Sequence, residues 1–82
     1  MLSENVRKQL WNYKRQGKDL TYLIRYIMGF VEDEDYFENI IISEMTALGL
    51  GFSEPEIVEC LEYDFGLDMS WHPMSVLYEK CT

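Results

Sequence analysis

The chain has 82 residues, 48% of them hydrophobic and 15% aromatic, with seven Lys and Arg against fifteen Asp and Glu for a net charge of −8. Such a composition supports one packed domain, excludes a disordered chain, and leaves hardly any room for an enzyme with an enclosed pocket. Domains that hold nucleic acid through their overall field are strongly basic, so nucleic acid is disfavoured as a partner.

Ser3 is placed to cap a first helix spanning residues 3–16, with Glu4 in its first turn and Gly17 as its stop. At 3.6 residues per turn, Leu2, Val6, Leu10 and Tyr13 share one narrow arc. Arg7, Lys8, Lys14, Arg15 and Lys18 share another arc, with Trp11 in its middle. The first helix therefore has an apolar stripe and a basic face that carries an aromatic. Asp19 can cap a second helix over residues 20–31. Leu20, Leu23, Ile24, Ile27 and Val31 line one side of it, Tyr22, Tyr26 and Phe30 widen that side, and only Thr21, Arg25 and Gly29 are left as a polar strip. A helix apolar over most of its circumference belongs at the centre of a core, so the second helix is expected to touch all the others.

Glu32, Asp33, Glu34 and Asp35 read as a turn and a helix start, where negative charge suits the helix dipole. A third helix follows from about Asp35 to Leu48, ended by Gly49 and Gly51. Phe37, Ile41, Met45 and Leu48 make its apolar face, flanked by Tyr36, Ile40 and Ala47. The β-branched run Ile40-Ile41-Ile42 leaves a strand over residues 39–43 as the alternative there. Ser53-Glu54-Pro55-Glu56 is the clearest local signal, a capping box with a first-turn Pro. Ile57, Val58, Leu61 and Phe65 build the face of this fourth helix, and Gly66 stops it. A last short helix is expected from about Pro73 through Met74, Leu77 and Tyr78 toward Cys81. The sum is an all-α, single-domain bundle of about five helices over residues 1–82, with no repeats and no linkers.

Charge is divided unevenly along the chain. Residues 1–30 hold six basic side chains against two acids, a net of +4, whereas residues 31–82 hold one against thirteen, a net of −12. Asymmetry of this kind bears on partners, not on fold. The plainest account is that the basic end neutralises the acidic end within one molecule. Two cysteines, Cys60 and Cys81, are too few for a disulfide-stapled secreted domain and fit a reducing cytoplasm. The longest apolar stretch, Leu20 to Val31, is interrupted by Arg25 and is short of a membrane span. The N-terminus lacks the pattern of a signal peptide. A cytoplasmic protein with no membrane contact is expected.

Little in the sequence suggests chemistry at a centre. One His and two Cys without C-x-x-C or H-x-x-x-H spacing make no zinc site. Asp33, Asp35, Asn39 and Glu44 fall at positions of a calcium loop, but Phe37 stands where an oxygen ligand is needed and Glu38 where Gly is needed. Cys60, Cys81 and His72 have no supporting spacing for a nucleophile and base, and Cys60 reads as an inert buried thiol, His72 as a capping or surface residue. No catalytic residue, metal or cofactor is expected. Glu44 falls inside the apolar arc of the third helix, where a carboxylate needs a partner, and Arg25 is the obvious one.

The acidic surface is the informative feature. Asp33, Glu34, Asp35 and Glu38 crowd the start of the third helix, and Glu54, Glu56, Glu59 and Glu62 crowd the fourth. Acids three or four apart repel one another, and solubility alone does not need so many. Carboxylates spaced by helical turns can stand in for a phosphate ladder, and their field speeds encounter with a basic surface. In size and charge the chain resembles the small acidic proteins, often encoded by bacteriophages, that block nucleic-acid-binding enzymes. A non-enzymatic module that inhibits a partner through its basic surface is the leading expectation. The alternative uses the basic face, Arg7, Lys8, Trp11, Lys14, Arg15 and Lys18, to bind phosphates and stack a base. A homodimer pairing the basic end with the acidic end is also compatible with the charges. Finally, Gly49-Leu50-Gly51-Phe52-Ser53, a Gly-Phe turn between helices, is similar to the loop of ubiquitin-associated three-helix domains, which implies an interaction domain over about Asp33 to Lys80.

Overall fold

Four helices form where caps and stops place them, and the computed structural model describes residues 2–73. Helix α1 spans Glu4–Arg15, with the Ser3 hydroxyl oxygen accepting the Val6 N–H at 3.3 Å. Gly17, at φ +86°, turns the chain left-handed, and the Lys18 N–H closes the helix end on the Tyr13 carbonyl at 3.0 Å. Helix α2 spans Leu20–Met28, capped by the Asp19 carboxylate on the Tyr22 N–H at 2.9 Å. Helix α3 spans Phe37–Ala47, and helix α4 spans Glu54–Tyr63. The α4 capping box is complete: the Ser53 hydroxyl oxygen accepts the Glu56 N–H, and Glu56 Oε1 accepts the Ser53 N–H at 3.1 Å.

Two helix boundaries and the number of helices differ from expectation, and the strand alternative falls. Helix α2 ends at Met28 and not at Val31. Gly29 is a poor helix residue, and Glu32 to Asp35 would crowd the negative end of the helix dipole, so the chain tightens through Phe30 N–H to Ile27 C=O and leaves the helix. Helix α3 begins at Phe37, two residues later than expected, because Asp33 Oδ1 accepts the N–H groups of both Asp35 and Tyr36 and holds them in a turn. The Ile40-Ile41-Ile42 run is helical, and there is no strand among the described residues. A lone strand there has no ladder partner, whereas the helix buries Ile41 and Ile42 at once. Four helices rather than five are present among the described residues; the fifth, expected from Pro73, lies outside them, as does Cys81.

The apolar faces meet in one cluster. Leu10, Leu23, Ile24, Ile27, Ile41, Ile57, Val58, Leu61 and Met69 have no exposed surface. Helix α2 packs on α1, α3 and α4, as its nearly all-round apolar surface requires, and α3 packs on α4. Leu50 from the α3–α4 turn and Met69 beyond α4 complete the cluster. No helix among the described residues is long and apolar enough to cross a membrane.

Candidate functional site

The acids near α4 surround a cleft against the start of α2. Glu56, Glu59, Cys60, Tyr63 and Asp64 line one side, Asp19, Leu20 and Thr21 the other, around about 300 Å³. Most of these groups are occupied with the fold itself. Asp19 caps α2 and Glu56 caps α4. The Ser53 N–H and hydroxyl both bond Glu56, which holds its carboxyl below the usual carboxylate range. The Thr21 hydroxyl donates to Asp64 Oδ2, and so does the Cys60 thiol, at 3.4 Å. Burial pushes the Cys60 thiol up from its ordinary value, and the neighbouring Asp64 and Asp19 charges push the same way. A protonated thiol in apolar surroundings is a poor nucleophile. Glu54 meets His72 Nε2 at 3.0 Å, which seats the imidazole against α4 and beside the Trp71 ring. Glu62 is half-buried, and its Oε1 has no hydrogen-bond partner among the described residues. Of the four α4 glutamates, Glu59 alone is exposed with no bond to another described residue.

The acids ahead of α3 form a separate group. Glu32, Asp33, Glu34 and Asp35 are exposed, and Glu38 is half-buried. Asp33 spends one carboxylate oxygen on the turn before α3. Glu32 and Asp33 rim a depression of about 400 Å³ whose floor is Leu2, Phe30, Val31 and Ile40. Ile40 continues into a second depression with Asn39, Ser43 and Glu44. The two acidic groups thus line different hollows.

The expected basic face is partly dismantled by the fold. Arg7 Nη2 lies 3.2 Å from Glu44 Oε2, so Glu44 pairs with α1 and not with Arg25. Arg25 instead lies 5.8 Å from the centre of the Phe65 ring. Arg25 is exposed on α2, whereas Glu44 is buried on α3 within reach of α1, so the wheel position of Glu44 identified its need but not its donor. Lys14 sits over the Phe52 ring at 5.0 Å and Lys18 over the Tyr22 ring at 4.9 Å. Lys8, Trp11, Asn12 and Arg15 remain together around an open hollow, with Trp11 39% exposed. Phe52 of the Gly-Phe turn is half-buried beneath Lys14, and Leu50 of the same turn is in the core.

Sequence reasoning missed Asp19 and Thr21 as walls of the α4 cleft, and Phe30 with Ile40 as a shared floor. No spacing signal could have found them, because each hollow brings together segments apart in the chain, the start of α2 with α4 and the end of α2 with α3. Among the described residues no group of three or more His, Cys, Asp or Glu side chains could hold a metal ion. Glu44, the last position of the calcium-like pattern, is instead held by Arg7. No protein-family model, curated protein or solved structure matches the chain.

Proposed function

We propose that the chain is a non-enzymatic cytoplasmic binding module whose acidic surface docks on the basic surface of a nucleic-acid-binding protein and blocks it. One observation carries this reading: among the described residues, little direct ion pairing joins the basic end to the acidic end. Among the described residues, a single ion pair, Arg7 with Glu44, joins residues 1–30 to the rest. The other two, Lys8 with Glu4 and His72 with Glu54, stay within their own parts. Lys14, Lys18 and Arg25 face aromatic rings rather than carboxylates. The excess of acids is thereby left to solvent, where it raises the field felt by an approaching cationic surface.

The test is capture from cell extract at low and high salt with nuclease present. A nucleic-acid-binding protein retained at low salt, released at high salt, and displaced from its nucleic acid by the purified chain supports the reading. Retention that ignores salt, or no competition with nucleic acid, defeats it. A second reading, nucleic-acid binding by α1, is favoured by the one hollow where Lys8, Trp11 and Arg15 stay together. Recovery of nucleic acid from untreated extract, lost on Arg15→Ala, would decide for it.

A further inference from the structure

We propose that the groove between the end of α2 and the outer side of α3 is the seat for a basic amphipathic segment of the partner protein. One apolar side chain enters against Phe30, Val31 and Ile40, and the Lys or Arg residues beside it meet Glu32 and Asp33. The proposal rests on the acidic-docking reading above and says which part of that surface makes the contact.

Three observations select this groove. Its floor is apolar and accessible: Phe30 is 50% exposed, and Val31 and Ile40 are half-buried. Large aromatics left in solvent beside a concave apolar floor are what interface anchors look like before a partner arrives. The Tyr26 ring meets the Phe30 ring edge-on at 5.2 Å, so the exposed ring is held in place and little ordering is needed on binding. The rim carries charge of one sign. Glu32 and Asp33 line it, Glu34 and Asp35 follow, and among the described residues none of the four is in an ion pair. Among the described residues only Asp33 of these four bonds another part of the chain, and it does so through one of its two oxygens.

The alternatives fit less well. Of the four acids that wall the α4 cleft, Asp19, Glu56 and Asp64 cap helices or bond Thr21 and Cys60, so a partner cation there competes with the fold for all but Glu59. A nucleic acid meets the Glu32 and Asp33 carboxylates on this groove's lining and, among the described residues, no cation there. A second copy brings a further net charge of −8 toward this one. A cationic segment with an apolar face satisfies both the floor and the rim, in the manner of a helix laid into a groove.

The experiment is a titration of the full ¹⁵N-labelled chain with a synthetic amphipathic Lys/Leu helical peptide, followed amide by amide. Shifts centred on Phe30, Val31, Asp33 and Ile40 are expected. Phe30→Ser and Ile40→Ser each weaken binding by about 10-fold or more, as loss of an anchor contact does. Glu32→Gln, at an exposed position with no duty in the fold, weakens it by about 2-fold and flattens its salt dependence. Circular dichroism checks that each variant keeps its helices. A Lys/Gln peptide that shifts the same amides as strongly overturns the proposal, since the floor would then contribute nothing. Shifts confined to Glu59, Tyr63 and Asp64 overturn it while leaving acidic docking standing. Absence of any shift overturns it and leaves the extract experiment to judge the wider reading. Contacts from Phe30 and Ile40 to residues 74–82, or to a second copy, in the peptide-free protein overturn it too, because the seat would already be taken.

Discussion

Glu44 lies in the apolar arc of α3 with its side chain 11% exposed, and the Arg7 guanidinium is the group that answers its charge. Taking away the cation leaves a carboxylate facing the core edge, whereas replacing both groups leaves none. Arg7→Ala should therefore lower unfolding stability by about 1–2 kcal/mol, less than a fully buried pair loses with one partner because Arg7 is partly exposed. Arg7→Met with Glu44→Leu together should cost less than Arg7→Ala alone. Urea midpoints of the three chains check this, and equal losses would contradict it. Cys60 gives a second prediction at this scale. Its raised thiol keeps the neutral form in the native state, so any stability it lends is present below the ordinary thiol range and is lost as pH rises from there through the raised value. With Cys81→Ser to leave one thiol, Cys60 should react with a disulfide reagent far more slowly in the folded chain than in urea at the same pH. How legible these groups were differs. That Cys60 is buried and that Glu44 needs a partner followed from helical spacing. That the partner is Arg7 did not, because it depends on which helix crosses α3 and spacing along one helix carries no such information.

Helix ends are where local chemistry decides most. Ser53 and Glu56 each satisfy a backbone donor of the other, so Ser53→Ala should lower stability by about 1 kcal/mol. The Glu56 carboxyl is held low by the Ser53 N–H and, after it, the Ser53 hydroxyl, so its contribution is present above the ordinary carboxylate range and is lost as pH falls through its lowered value. Ser53→Ala removes the hydroxyl and keeps the N–H, so Glu56 should titrate only part of the way back toward its ordinary value, read by NMR; an unchanged titration would show that the hydroxyl contributes nothing to the shift. Helix α2 is the element the other three share, and Ile24 on it has no exposed surface. Ile24→Ala should cost about 2–5 kcal/mol, a large share of what a domain this small can spare. A thermal melt by circular dichroism checks it. The starts of α1, α2 and α4 were readable because Ser3, Asp19 and Ser53 cap through their own side chains. The start of α3 was not, since Tyr36 makes no side-chain cap and Asp33 acts one turn earlier than the helix it precedes. The end of α2 was overrun because its apolar pattern continues past Gly29 to Val31, and pattern alone does not register the acids that follow.

At the scale of the molecule, like charge dominates residues 31–82, and among the described residues little of it is ion-paired. Raising salt from low to physiological strength should raise the melting temperature, since repulsion among exposed acids is screened within about 10 Å. A fall on adding salt would mean that attractive pairs outweigh the repulsion. For the partner reaction, Glu34→Lys with Glu59→Lys reverses two exposed acids that carry no duty in the fold and moves the net charge from −8 to −4. Association should slow by about 10-fold at low salt and converge on the parent rate at high salt. The division of charge was plain in the sequence, and so was the all-α class. Which acids are available was not, because availability depends on bonds between segments apart in the chain: Asp64 to Thr21 and Glu54 to His72.

The link between Arg7 and Glu44 also sets an order in time. The two residues are 37 positions apart, and α1 packs on α2 but has no backbone packing on α3 or α4. During synthesis the first helix emerges before the residue that fastens it has been made. It can lie on α2 early, yet its strut to α3 closes only after the third helix exists. The segment born first is therefore secured last, and in the finished protein it should be the first to let go: α1 amides exchange with solvent water through an opening that leaves α2, α3 and α4 closed.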